Sequence, residues 1–181
     1  LAAGSDVEMA GLNWQLLAVP GHDMEALAFY NAEQRILISG DALWENGFGV
    51  IFPELLGEAD GLASTRATLE MLARLPIDTV IPGHGKPFAT VDEAFTRAFR
   101  RLDMFTAEID KLAWHAIKVI VSFAMMERRR IAAADFPRFI LSLPFAIDVN
   151  SRYLGLDEEI LAARVERDLL LVNALRREAG D

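Results

Sequence analysis

The run Arg35-Ile36-Leu37-Ile38-Ser39-Gly40-Asp41 is an apolar strand that stops on a glycine and a carboxylate, and it limits what this chain can become more than any other stretch. Aliphatic residues at this density read as a buried strand. Gly40 permits a sharp turn, so the strand delivers Asp41 to an edge of a sheet. The same construction occurs twice more. Leu16-Leu17-Ala18-Val19 runs into Pro20-Gly21-His22-Asp23, and Thr79-Val80-Ile81 runs into Pro82-Gly83-His84-Gly85. Each turn presents a residue type that ligates metals, His22, Asp41 or His84. Two of the chain's three histidines occupy these turns.

The intervening segments suggest how the turns meet. Leu12 to Val19 reads as a strand ending at Pro20, and Ala26 to Tyr30 as the next. Asn31-Ala32-Glu33-Gln34 is a polar connection, after which Arg35 to Ser39 returns antiparallel as a hairpin. That excursion sets His22 and Asp41 at the same end of the sheet. Residues 1–9 are small and acidic and read as a loop or frayed end. Trp44 to Gly61 has no period and reads as a loop, its aromatics more readily local core than substrate contacts. Leu62, Leu69, Leu72 and Leu75 fall at helical spacing and stop at Pro76. The strand that follows carries His84 to the ligand-bearing edge.

Beyond about residue 90 strand signals vanish. Phe95, Phe99, Leu102, Phe105, Ile109 and Leu112 form one helical stripe, and further helices are expected within Leu112–Arg130, Phe136–Leu143 and Asp157–Val172. Pro144 to Gly155 reads as a connection rich in breakers. The expected organisation is therefore a strand-bearing part, residues 1–90, and an all-helical part, residues 91–181.

Three short motifs in this order, Pro20-Gly21-His22, Gly40-Asp41 and Pro82-Gly83-His84-Gly85, resemble the later metal-binding motifs of the metallo-β-lactamase-fold hydrolases, glyoxalase-II-like members in particular. The resemblance implies an α/β fold, the C-terminal half of an αββα sandwich, followed by a helical, winged-helix-like C-terminal domain. It implies that His22 ligates a first divalent ion, His84 a second, and that Asp41 bridges the two as the catalytic carboxylate. Zinc is the expected metal, with manganese or iron as alternatives, and a thioester or small ester the expected substrate. The family's first motif, His-x-His-x-Asp-His, has no counterpart among the 21 residues before His22. The expectation is thus a hydrolase fragment lacking its N-terminal half and inactive by itself. The alternative is a non-catalytic interaction module that keeps remnants of the fold.

Composition narrows the classes. With no cysteine, a metal must be held by nitrogen and oxygen, and disulfides play no part. The net charge of −9 is uneven: residues 1–90 hold 4 basic and 12 acidic residues, residues 91–181 hold 14 and 15. That balance argues against a nucleic-acid surface. Ala113 to Met126, interrupted by His115 and Lys118, is too short and polar to span a membrane. With no secretory signal in view, the expected location is cytoplasmic.

Other eye-catching residues have plainer readings. Asp23 suits its own turn. His115 reads as a packing histidine, Met125-Met126 as core filler, and Arg128-Arg129-Arg130 as a solvated helix end that favours the dipole. One expectation concerns partners. A half sandwich leaves a sheet face, assigned here to Leu17, Val19, Leu37 and Val80, without cover. Exposing roughly 400 Å² would forgo about 10 kcal/mol, so the chain is expected to self-associate or to retain its other half.

Overall fold

The computed structural model describes residues 1–58 and 60–178. Residue 59 of the expected 44–61 loop and residues 179–181 of the expected helical part lie outside these. The chain divides into two compact units, Leu1–Ala107 and Glu108–Asp181.

The first unit is built on one five-stranded sheet with strands in sequence order: β1 (Asp6–Met9), β2 (Leu12–Ala18), β3 (Leu27–Asn31), β4 (Ile36–Gly40) and β5 (Thr79–Pro82). The first four are antiparallel neighbours, and β5 lies parallel to β4. β1 was hidden in the acidic start of the chain. It pairs with β2 through a two-residue turn in which Ala10 and Gly11 both have positive φ, 53° and 74°, the conformation that matches the twist of a hairpin. The β3–β4 hairpin forms as the pattern suggests, with Tyr30 opposite Leu37.

A parallel neighbour needs a crossover, and two helices supply it. α1 (Phe52–Leu56) is a short helix inside the segment read as a loop, started by Pro53 in its first turn. α2 (Gly61–Leu72) follows and ends just before the β5 strand. After β5 the chain folds back, and Phe88 exchanges two backbone hydrogen bonds with Val80. α3 (Val91–Ala107) buries Val91, Ala94, Phe95, Ala98, Leu102 and Phe105 at three- and four-residue spacing. It packs on α2 within the first unit.

Two corrections follow. The division set by packing falls at residues 107 and 108, beyond the composition shift near residue 90, because α3 belongs to the strand-bearing unit. The stripe from Phe95 to Leu112 is also not one helix. Glu108 leaves the helical region, at φ −139° and ψ 83°, and a new helix begins at Ile109.

The second unit is helical: α4 (Ile109–Arg128), α5 (Phe136–Leu141), α6 (Pro144–Val149) and α7 (Glu158–Leu171). Its core gathers Leu112, Ile117, Val121, Ile140, Val149 and Leu161. No strand occurs among its described residues, so nothing there forms a wing. The breaker-rich connection contains α6, because Pro144 sits in the helix's first turn, where its missing N–H costs nothing. Asn150 then holds the following turn, donating to Leu156 O at 2.8 Å and accepting from Leu156 N at 3.2 Å. Trp114 Nε1 donates to Asp168 Oδ2 at 2.9 Å. Burial alone would raise the Asp168 pKa, but the Arg167 and Trp114 hydrogen bonds outweigh it and hold the carboxyl below its ordinary value. His115 is half-buried on α4. No helix among the described residues is long and apolar enough to cross a membrane.

The sheet's two faces are not alike. Tyr30, Leu37 and Val80 stand opposite one another across β3, β4 and β5 and are buried, as is Val19. The ladder one residue out of step, Phe29, Ile38 and Ile81, is half-buried, half-buried and 37% exposed. Successive side chains of a strand point to opposite faces. Across β3 to β5 the face without full cover is therefore the Phe29 side, and Leu37 and Val80 of the face named from the sequence are covered; at β2 the order reverses, with Leu16, opposite Phe29, buried and Leu17 half-buried. Leu37→Ala is expected to cost about 2–5 kcal/mol of unfolding free energy. Ile38→Ala is expected to cost under about 2 kcal/mol, since that side chain already meets water. Urea denaturation of both variants checks the contrast, and equal losses would contradict the assignment of faces.

Candidate metal centre

Three strand ends converge as their sequence pattern predicts. β2 leads into the turn carrying His22, β4 ends at Gly40 and hands on Asp41, and β5 ends one residue before Gly83 and His84. Gly83 N donates to Gly40 O at 2.8 Å, so the parallel pairing continues past the strands and seats the His84 turn beside Asp41.

The Asp41 carboxylate lies between the two imidazoles. His22 Nε2 is 3.3 Å from Oδ2, and His84 Nε2 is 3.9 Å from Oδ1. Each histidine thus addresses its own oxygen. His22 Nδ1 lies 2.5 Å from Val50 O. A carbonyl only accepts, so Nδ1 carries the proton and neutral His22 presents a lone pair at Nε2. That lone pair faces a carboxylate oxygen. Two acceptors in opposition need a second proton on the imidazole or a cation between them.

Residues that no local motif announces fix this arrangement. Trp44 Nε1 donates to Asp41 Oδ1 and to Gly40 O, each at 3.2 Å, and its ring meets the His84 ring edge-on at 5.1 Å. Phe52 lies against His22 with ring centroids 5.6 Å apart. Asp41 O accepts from Gly49 N at 2.8 Å, which brings Val50 beside His22. The loop is a packed element: Leu43, Phe48, Val50 and Ile51 are all buried. From α3, Arg97 Nε donates to Glu45 O at 2.7 Å, and the Arg101 guanidinium lies over both the Phe48 and Phe105 rings, which themselves meet edge to face. Burial lowers the Arg101 pKa from its ordinary value. Asp23 stays local, accepting from Glu25 N at 2.8 Å to close its own turn.

The donor types fit divalent ions, one imidazole nitrogen and one carboxylate oxygen on each side of Asp41. The number of donors is short of the three or four protein ligands usual for zinc. Among the described residues no group of three or more His, Cys, Asp or Glu side chains is placed to hold a single ion. What the structure brings together here is two imidazoles and one carboxylate.

With this geometry in hand, the chain can be set beside known proteins. Residues 3–84 match the family model described as the Metallo-beta-lactamase superfamily, so this segment resembles that superfamily. The same part of the chain is similar to hydroxyacylglutathione hydrolases. It is 34% identical over 82 residues to a hydroxyacylglutathione hydrolase of Yersinia enterocolitica, an alignment covering 45% of this chain and 29% of that protein. It is 46% identical over 46 residues to the hydroxyacylglutathione hydrolase of Ectopseudomonas mendocina, covering 25% of this chain and 18% of the relative. The chain thus spans less than a third of the length of these curated relatives. The crystal structure of a beta-lactamase domain protein from Burkholderia ambifaria aligns with 100% of this chain and 49% of its own, at a TM-score of 0.54 and 23% identity. That likeness extends the shared fold to the helical unit.

Gly49 packs closely against both Asp41 and His22. A Cβ there would lie 2.9 Å from Asp41 Cβ and from the His22 ring. Gly49→Ala is expected to cost about 1–3 kcal/mol of stability and to shift the His22 ring resonances. Chemical denaturation and NMR check both, and an unchanged midpoint with unmoved resonances would show that the loop yields freely.

Proposed function

We propose that this chain is part of a metal-dependent hydrolase that cleaves a thioester or small ester. The observation that carries the proposal is the Asp41 carboxylate with one imidazole approaching each oxygen. His22 and Asp41 would hold one ion and Asp41 and His84 the other, zinc first and manganese or iron as alternatives, with further ligands from outside this set. Such ions supply hydroxide near neutral pH and positive charge for a developing oxyanion. The chain's own residues prepare for that chemistry. Val50 fixes the His22 tautomer, Trp44 occupies one side of Oδ1, and the buried loop between them keeps both ligands from swinging away. The choice of a thioester rests on the hydroxyacylglutathione hydrolases that residues in this segment resemble. With two donors per ion, the 181 residues alone are expected to bind metal weakly and to be inactive.

Asp41→Asn replaces a shared carboxylate with a neutral amide. In a protein carrying the whole site, metal content is expected to fall from two ions to one or none, and thioester hydrolysis by at least about a hundredfold, the upper end of losses seen when metal sites are perturbed. Elemental analysis and a generic thioester assay read the two effects. Full occupancy with full turnover would remove Asp41 from the site.

The Phe29–Ile38–Ile81 ladder is proposed as an association face, covered by a second copy or by the remaining residues of a longer hydrolase. Light scattering of the 181-residue chain is expected to show concentration-dependent association that Ile81→Lys abolishes. A monomer at all concentrations, with no co-purifying peptide by intact mass, would contradict this.

A further inference from the structure

The helical unit holds a second polar constellation, unconnected with the strand-end histidines. A cavity of about 490 Å³ is lined by Arg128, Arg130 and Arg138, with Asp135 its single acidic residue and Ile131, Ala132, Phe139 and Ser142 completing the wall. The volume falls within the range of small-molecule sites, roughly 300–1,000 Å³.

The arginines are brought together by an unusual backbone. Arg129 follows α4 at φ 66° and ψ −45°, a left-handed conformation that favours glycine, yet the residue is arginine. Arg129 N donates to Met125 O at 2.7 Å and Arg130 N to Arg128 O at 2.8 Å. This tight reversal places residues on either side of Arg129 on one cavity. Arg138, on α5, reaches it from the facing side.

Their charges are incompletely matched. Arg130 pairs with Glu178 at 3.2 Å. Arg128 lies over the Phe139 ring at 5.5 Å, a contact that orients the guanidinium and leaves its charge in place. Among the described residues neither Arg128 nor Arg138 pairs with a carboxylate. Two guanidinium forks at one cavity suit the oxygens of a phosphate, which accepts paired N–H bonds from each. Phe139 and Ile131 supply an apolar floor beside them. A long nucleic acid is disfavoured, since residues 108–181 carry 11 basic and 12 acidic residues and so offer no extended cationic track.

We propose that this cavity binds a phosphorylated small molecule, its phosphate held by Arg128 and Arg138 and its apolar part resting on Phe139 and Ile131. The test is calorimetric titration of the full 181-residue chain with pyrophosphate and with ADP at low salt. Both are expected to bind, ADP more tightly, and both more weakly as salt rises. Arg128→Gln and Arg138→Gln are each expected to weaken binding by about tenfold or more. Arg138→Lys should fall between, and Arg74→Gln, in the other unit, should leave affinity unchanged. The arginines are exposed, so thermal midpoints should stay at the wild-type value and separate lost binding from lost folding. Three results would overturn the proposal. These are absence of binding at millimolar ligand, both glutamine variants binding as tightly as the wild type, and citrate or a single-stranded oligonucleotide binding more tightly than ADP.

Discussion

The backbones at the ends of β4 and β5 come together at Gly40 and Gly83 more closely than a side chain on Gly83 would allow, and the rest of the centre depends on that approach. Gly83 N donates to Gly40 O at 2.8 Å. A Cβ on Gly83 would lie 2.7 Å from Asp41 Oδ1 and 3.1 Å from the Gly40 carbonyl. The hydrogen bond therefore works as a spacer of fixed length. It sets how far His84 stands from the carboxylate, while β2 and its turn set the distance of His22 independently. One strand pairing is local and antiparallel, the other a parallel pairing closed across α1 and α2. Long-range closure is entropically costly, and buried Leu37 and Val80 beside the contact offset that cost with packing.

Much of this was legible because strands alternate and turns use few residue types. The hairpin through Asn31 to Arg35 could be read from its polar connection, and the convergence of His22 and Asp41 followed from counting strand reversals. The α2–β5 order, carrying His84 to the same edge, came from leucine spacing and Pro76. What escaped notice did so for physical reasons. β1 is too polar and short to show a period, and its turn uses Ala10 at positive φ, a conformation that alanine does not advertise. Which face is open across β3 to β5 could not be read because both faces of this sheet are apolar, so alternation between Leu37 and Ile38 is invisible in composition. Only burial separates them.

The supports of the centre were hidden for another reason. Trp44, Gly49 and Val50 act through contacts that no spacing rule describes, a shared indole N–H, a missing Cβ and a carbonyl that accepts from an imidazole. Arg97 and Arg101 reach the same loop from α3, more than fifty residues on. That packing explains why α3 belongs with the sheet although its periodicity matches the helices after it. Helical pattern reports which face of a helix is buried, and says nothing of which partner buries it.

Trp44 also makes the centre observable. Its indole donates to Asp41 and sits edge-on to His84, whereas Trp14 donates to the Met9 carbonyl and Trp114 to Asp168. Among the described residues, Trp44 is thus the tryptophan placed against Asp41 and His84. A change of charge at the carboxylate or the imidazole alters the field across that single ring, while the other two supply a constant background. The fold has in effect placed a native optical probe against Asp41, one that reports on the centre without an attached dye and before any turnover is measured.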